Sequence, residues 1–132
     1  MTINNEFPSE EYIYTYSRKE AVDDGLQVDV SKLASETGIR VPVFLTRAVY
    51  DQCVTVPEGV TGQDEIGRQW DILVILRLAV QAGYPDSRRL RFTLSVNNGG
   101  IKPEMITLMA VCGPLDADAP QRVITVMLPD ED

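Results

Sequence analysis

The stretch TGQDEIGRQWDILVILRLAVQAG, Thr61 to Gly83, defines the largest element this chain can build. Thr61 and Asp64 supply N-terminal capping chemistry and Gly83 a stop, so the spacing predicts a helix from Gln63 to Ala82. Its first half is charged and its second half almost entirely apolar. Ile72 to Leu76 and Leu78 to Val80 wrap the cylinder in apolar surface, which implies burial on more than one side and makes this the central helix.

Beyond Gly83 the period changes. In RRLRFTLSV, Leu90, Phe92, Leu94 and Val96 face one way and Arg89, Arg91, Thr93 and Ser95 the other, the pattern of a half-buried strand. NNGG is a hairpin turn; it lacks the Lys-Ser/Thr of a phosphate loop. EMITLMAVCG and RVITVMLP, joined by PLDADAPQ, are two more β-rich runs. Before the helix, Ser17 and Glu20 form a capping box for a short helix that Gly25 ends. LQVDV reads as a strand, and Ser31 is expected to cap a second short helix, KLASET, stopped by Gly38. VPVFL is extended up to Thr46, the N-cap of a helix carrying Val49 and Cys53, and Pro42 favours an edge or pre-helical position. YIYTY alternates Tyr12, Tyr14 and Tyr16 as a short strand. The first eleven residues read as a flexible polar arm. The expected fold is α+β, one domain over 1–132: a three-stranded antiparallel meander packed on a long central helix, with smaller N-terminal helices.

Hydrophobic residues make up 44% and charged residues 24% of the 132, the balance of a chain that folds alone. No run approaches the roughly 20 apolar residues of a membrane span, and MTINNEFPSEEY has neither the basic nor the apolar region of a signal peptide, so a cytoplasmic location is expected. The sequence contains no histidine, which excludes Ser-His-Asp and Cys-His nucleophilic catalysis and HExxH metal chemistry. With 20 acidic against 12 basic residues the net charge is −8, a field that repels phosphates and attracts basic protein surfaces. Cys53 and Cys112 stand in apolar runs without neighbouring ligands and read as buried free thiols, although a disulfide between them stays open.

Asp64, Arg68 and Asp71 stand at i, i+4 and i+7, on one helical face that runs on into Ile75 and Leu78. Two chemistries suit that face. One is a carboxylate pair oriented by a guanidinium, as in a small enzyme or ligand-binding domain. The other is dipole complementation by Asp64 and Glu65, with Arg68 paired to Asp64. No nucleophile accompanies them, so no catalytic residue, metal or cofactor is assigned. Trp70 is a core residue or an interface anchor, and Arg77 snorkels or pairs.

YSRKEAVDDGLQVDVS, VPVFLTRAV, QDEIGRQWDIL, VCGP and the ending VITVMLPDED together resemble a family of uncharacterised proteins, a domain of unknown function encoded on bacterial plasmids and integrative elements. No catalytic residue is carried over from it. The resemblance implies the anti-defence cargo of such elements, restriction inhibitors and anti-CRISPR proteins. A small acidic inhibitor would occupy a nucleic-acid-binding surface, its carboxylates replacing phosphates opposite Lys and Arg. The expected partner is therefore a protein subunit of a CRISPR-Cas or other defence complex in the bacterial host, with no direct nucleic acid or membrane contact. Candidate partner-binding residues are Glu11, Asp23, Asp24, Asp64, Glu65, Arg68, Trp70 and Asp71. A plasmid-maintenance or conjugation accessory is the remaining alternative.

Overall fold

The computed structural model describes residues 17–83 and 88–131. The arm, the YIYTY strand and Glu11 lie outside the described residues. The capping box forms as read: Ser17 Oγ accepts from Glu20 N at 3.0 Å, Glu20 Oε1 accepts from Ser17 N at 3.2 Å, and α1 spans Arg18–Asp23. Gly25 follows with φ 78°, the left-handed conformation that ends a helix. β1 is Gln27–Asp29 and α2 is Ser31–Glu36. Ser31 is the first residue of α2 and not its cap. Its N–H donates to Asp29 Oδ1 at 2.9 Å, and its hydroxyl accepts from Val43 N at 3.0 Å, tying α2 to the next strand.

β2, Val43–Thr46, runs into a helical turn α3, Arg47–Val49, capped by Thr46, whose hydroxyl accepts from Val49 N at 3.3 Å. The helix then widens into a π-helical turn, Tyr50–Val54, closed by Thr55 N donating to Tyr50 O. α4 spans Glu65–Ala82, 18 residues or about 27 Å of rise, with Asp64 as N-cap accepting from Gly67 N at 2.6 Å. β3 is Arg89–Val96, β4 Glu104–Asp116 and β5 Ala119–Met127, followed by a 3-10 turn at Pro129–Glu131.

The meander is present. β3 pairs with β4 over eight residues, Arg89↔Val111 to Val96↔Glu104, and β4 pairs with β5, both antiparallel, with a bulge between Pro114 and Asp116. It is only part of a five-stranded mixed sheet ordered β1-β2-β5-β4-β3. β2 lies inside the sheet, parallel to β5 (Val43↔Ile124, Leu45↔Val126) and antiparallel to β1. This corrects the three-stranded expectation; of the two positions Pro42 favours, the edge is not taken, while the strand that follows it does lead directly into α3. The proline stands just before the strand, where it lacks no ladder donor, and its carbonyl accepts from Ile124 N.

One sheet face carries the main core. Val43 and Leu45, Phe92, Leu94 and Val96, Leu108 and Ala110, and Ile124 and Val126 pack with Ile72, Leu73 and Leu76 of α4 and with Val49, Cys53 and Val54. Strand alternation turns Phe44, Met109 and Val123 to the other face, where they are buried outside that cluster. α1 lies on this second side, with the Arg18 guanidinium 4.8 Å from the Phe44 ring centroid. No helix among the described residues is long and apolar enough to cross a membrane.

Candidate functional site

A π-helical turn leaves carbonyls without helical partners, and such groups must be satisfied when water is excluded. Here the donors come from elsewhere in the chain. Asn98 Nδ2 donates to Gln52 O at 3.0 Å, and Arg68 Nη1 donates to Thr55 O at 3.1 Å and to Asn98 Oδ1 at 3.0 Å. Arg68 Nη2 donates to Asn97 O and Nε to Gln63 Oε1 at 2.9 Å. Arg68 is only 5% exposed. It pins the start of α4 to the π turn and to the β3–β4 connection, and it forms no ion pair with Asp64.

The triplet Asp64, Arg68 and Asp71 therefore does not assemble as a guanidinium-oriented carboxylate pair. Arg68 points inward, while Asp64 and Asp71 are exposed. Asp64 is engaged as the N-cap, and Glu65 Oε1 accepts from the Tyr50 hydroxyl, a bond that raises the Tyr50 pKa. The geometry holds carboxylates at the head of α4 and offers no reacting centre.

Beside them lies an apolar ridge. Ile66 is 61%, Trp70 40% and Leu78 56% exposed; with half-buried Val74 between them, they recur every fourth residue, the spacing of one packing ridge. The helix is buried on one side only, and Trp70 is not core. Sequence reasoning passed over Ile66 and set Leu78 with Asp64, Arg68 and Asp71, because the apolar wrap from Ile72 to Val80 carries no phase to say which side faces the sheet. At the far end, Arg77 is exposed over Gly38. There φ is +100°, a left-handed conformation that favours glycine. Gly38, Ile39, Arg40, Val41, Arg77, Val80 and Ile124 line a groove of about 250 Å³ there.

Asp23 and Asp24 sit at the end of α1, on the opposite side of the sheet from α4. The predicted partner-binding residues thus divide: Asp64, Glu65, Trp70 and Asp71 are all exposed at the first half of α4, with Glu65 turned to Tyr50, Arg68 is buried, and Asp23 and Asp24 stand apart.

That opposite side carries a feature sequence reasoning did not identify. Arg18 Nη1 donates to Thr125 Oγ1 at 2.6 Å and to Gln27 Oε1 at 3.1 Å, Nε to Leu115 O at 3.1 Å, and Nη2 to Pro114 O at 3.3 Å. Its backbone N–H donates to Asp116 Oδ1 at 2.6 Å. Burial lowers the Arg18 pKa, partly offset by Asp116. These residues line an open cleft of about 700 Å³ with Ala21 and Met127. The guanidinium is spent on holding α1 to the β4–β5 end. No local pattern could have shown this, since Asp116 is 98 residues away.

Both cysteines are free. Cys53 is buried, and burial pushes its thiol up to about 11, against the reactive direction; Cys112 is half-buried with Arg122 Nη1 at 3.5 Å. Among the described residues no cluster of Cys, Asp and Glu is built to hold a metal ion.

A family model, the family of unknown function DUF6573, matches residues 3–132, and the chain belongs to that family. No curated protein and no solved structure matches it.

Proposed function

We propose that this member of a family of unknown function is a non-enzymatic binding protein whose docking surface is the exposed face of α4. The observation that carries the reading is the setting of Ile66 and Trp70, apolar and exposed, among the carboxylates of Asp64, Glu65 and Asp71. An exposed aromatic residue on the same half-helix as exposed charge suits a protein interface. With a net charge of −8, the complementary surface is basic, and the basic surfaces of nucleic-acid-binding proteins meet that requirement. The resemblance to anti-defence cargo adds the partner class: a subunit of a bacterial defence complex, a CRISPR effector first, inhibited by contact.

The test is performed in cells that carry CRISPR immunity, by comparing plaques of a targeted and an untargeted phage. Expression of the protein is expected to rescue the targeted phage. Asp64→Lys with Glu65→Lys is expected to abolish the rescue, and Asp23→Lys with Asp24→Lys, across the sheet, to leave it. A melting curve controls for the loss of the Asp64 cap, about 0.5 to 2 kcal/mol, and of about 0.3 to 1 kcal/mol per residue from positive charge at a helix start. Rescue by the folded Asp64/Glu65 variant at wild-type level overturns the assignment of the surface, and absence of rescue by the wild type overturns the partner class. Once a target is in hand, its association rate is expected to fall with salt, since charges are screened beyond about 8 Å at physiological ionic strength.

A further inference from the structure

We infer that the free edge of β3 takes up an extended acidic segment of a partner protein as a sixth strand of the sheet. β3 forms one edge of the sheet, and its eight residues pair with β4 without a bulge or a proline. The opposite edge, β1, has three residues, too short to template a pairing. Arg88 O accepts from Cys112 N at 2.8 Å, so the backbone of Arg88 faces β4. Alternation along the antiparallel ladder then turns the N–H and C=O groups of Arg91, Thr93 and Ser95 outward, where no group of the described residues meets them. All three residues are exposed. A row of outward donors and acceptors on every second residue is complementary to another strand, which sets the conformation of the occupant.

Charge and packing set its composition. Three of the twelve basic residues, Arg88, Arg89 and Arg91, stand within four positions, and residues 88–96 contain no carboxylate. Arginine on an edge guards against unintended pairing, but the guard repels strands of like charge and admits one that carries carboxylates. Arg89, Arg91 and Thr93 are exposed on one face of β3, while Phe92, Leu94 and Val96 are buried on the other. Cross-strand neighbours share a face, so the added strand places carboxylates opposite the arginines and apolar side chains between them. The apolar ones have a roof. α4 runs the length of β3 on its core side, with Arg68 donating to Asn97 O at one end and Gly83 against Leu90 at the other. Val80 faces the groove on the flank toward α2, which lies over β2. Leu78, ~160° round the helix from Val80, is on the flank over the free edge, and it is 56% exposed. A second copy of this chain is no match, since its β3 brings arginines and no carboxylate. The pairing rests on β3 and not on the reading above; phage rescue bears on that reading alone, and strand addition on this one.

The experiment uses the purified full chain and a blocked, labelled peptide of four Glu-Val repeats. One comparison peptide has Lys for Glu. Another is N-methylated at every glutamate, which removes the donors that face β3 and keeps the charge. The Glu-Val peptide is expected to bind, measured by fluorescence anisotropy, and to slow amide exchange at Arg91, Thr93 and Ser95. Both comparison peptides are expected to bind about tenfold more weakly or worse. Thr93→Pro removes an outward donor and leaves the ladder to β4 intact, so it is expected to weaken the Glu-Val peptide about tenfold. Arg91→Glu is expected to reverse the preference toward the Lys-Val peptide. If Thr93→Pro does not fold, the N-methylated peptide carries the same test. A wild type that fails to bind the Glu-Val peptide at concentrations approaching millimolar overturns the inference. So do equal binding of the N-methylated peptide, protection that falls outside β3, or an Arg91→Glu variant that keeps the wild-type preference. A wild type that sediments as a dimer with the same three amides protected gives the edge to a second copy and overturns it as well.

Discussion

The two sides of α4 are built from similar residues and meet opposite environments. Ile72, Leu73 and Leu76 are fully buried against the sheet, while Ile66, Trp70 and Leu78 lie in the open. Apolar composition alone therefore does not distinguish core from interface on this helix. What separates them is the neighbourhood: the inner side has partners supplied by distant segments, and the outer side has a rim of charge. The same division runs through its polar residues, with Arg68 tied to the π turn and to the β3–β4 connection on the inside and Asp71 exposed on the outside.

Substitutions on the two sides should separate stability from association. The largest effect is expected from Leu73→Ala and Leu76→Ala, each lowering the unfolding free energy by about 2 to 5 kcal/mol as a core truncation. Urea titration measures it, and an unchanged midpoint would show that the inner side is not core. Next is Arg68→Met, which leaves the carbonyls of Thr55 and Asn97 without their donor at a cost of about 1 to 3 kcal/mol. Amide exchange should rise in the β3–β4 connection in that variant; unchanged exchange would mean that Arg68 does not hold it. The smallest stability change, within about 0.5 kcal/mol, is expected for Trp70→Ser and Leu78→Ser on the outer side. Those two variants should lose association while melting as the wild type does. A large drop in melting temperature would merge the two sides into one core.

Local chemistry made part of this legible. The capping box at Ser17 and Glu20, the alternation from Leu90 to Val96 and the stop at Gly25 each depend on residues a few positions apart, and the structure has them all. Pairings between distant segments were not legible. β2 joins β5 through Val43 and Ile124, and nothing near Val43 announces a parallel neighbour 81 residues on. The four-residue spacing of Asp64 and Arg68 suggested an ion pair, but carbonyls freed by a π turn and a hairpin drew the guanidinium away. At the candidate site the sequence identified the carboxylates and Trp70 as a group, while the phase of the helix, and with it the exposed ridge, required the sheet.

The parallel pairing of β2 with β5 also bears on how the chain can be made. β1 and β2 leave the ribosome early, yet the sheet joins them to β3 and β4 only through β5, Ala119–Met127. Until that strand emerges, the nascent chain holds two unjoined pieces of sheet, with the inner face of α4 short of the β5 side chains that complete its core. Folding of the sheet is thereby deferred until Ala119–Met127 has been made, when its longest-range contacts first become possible.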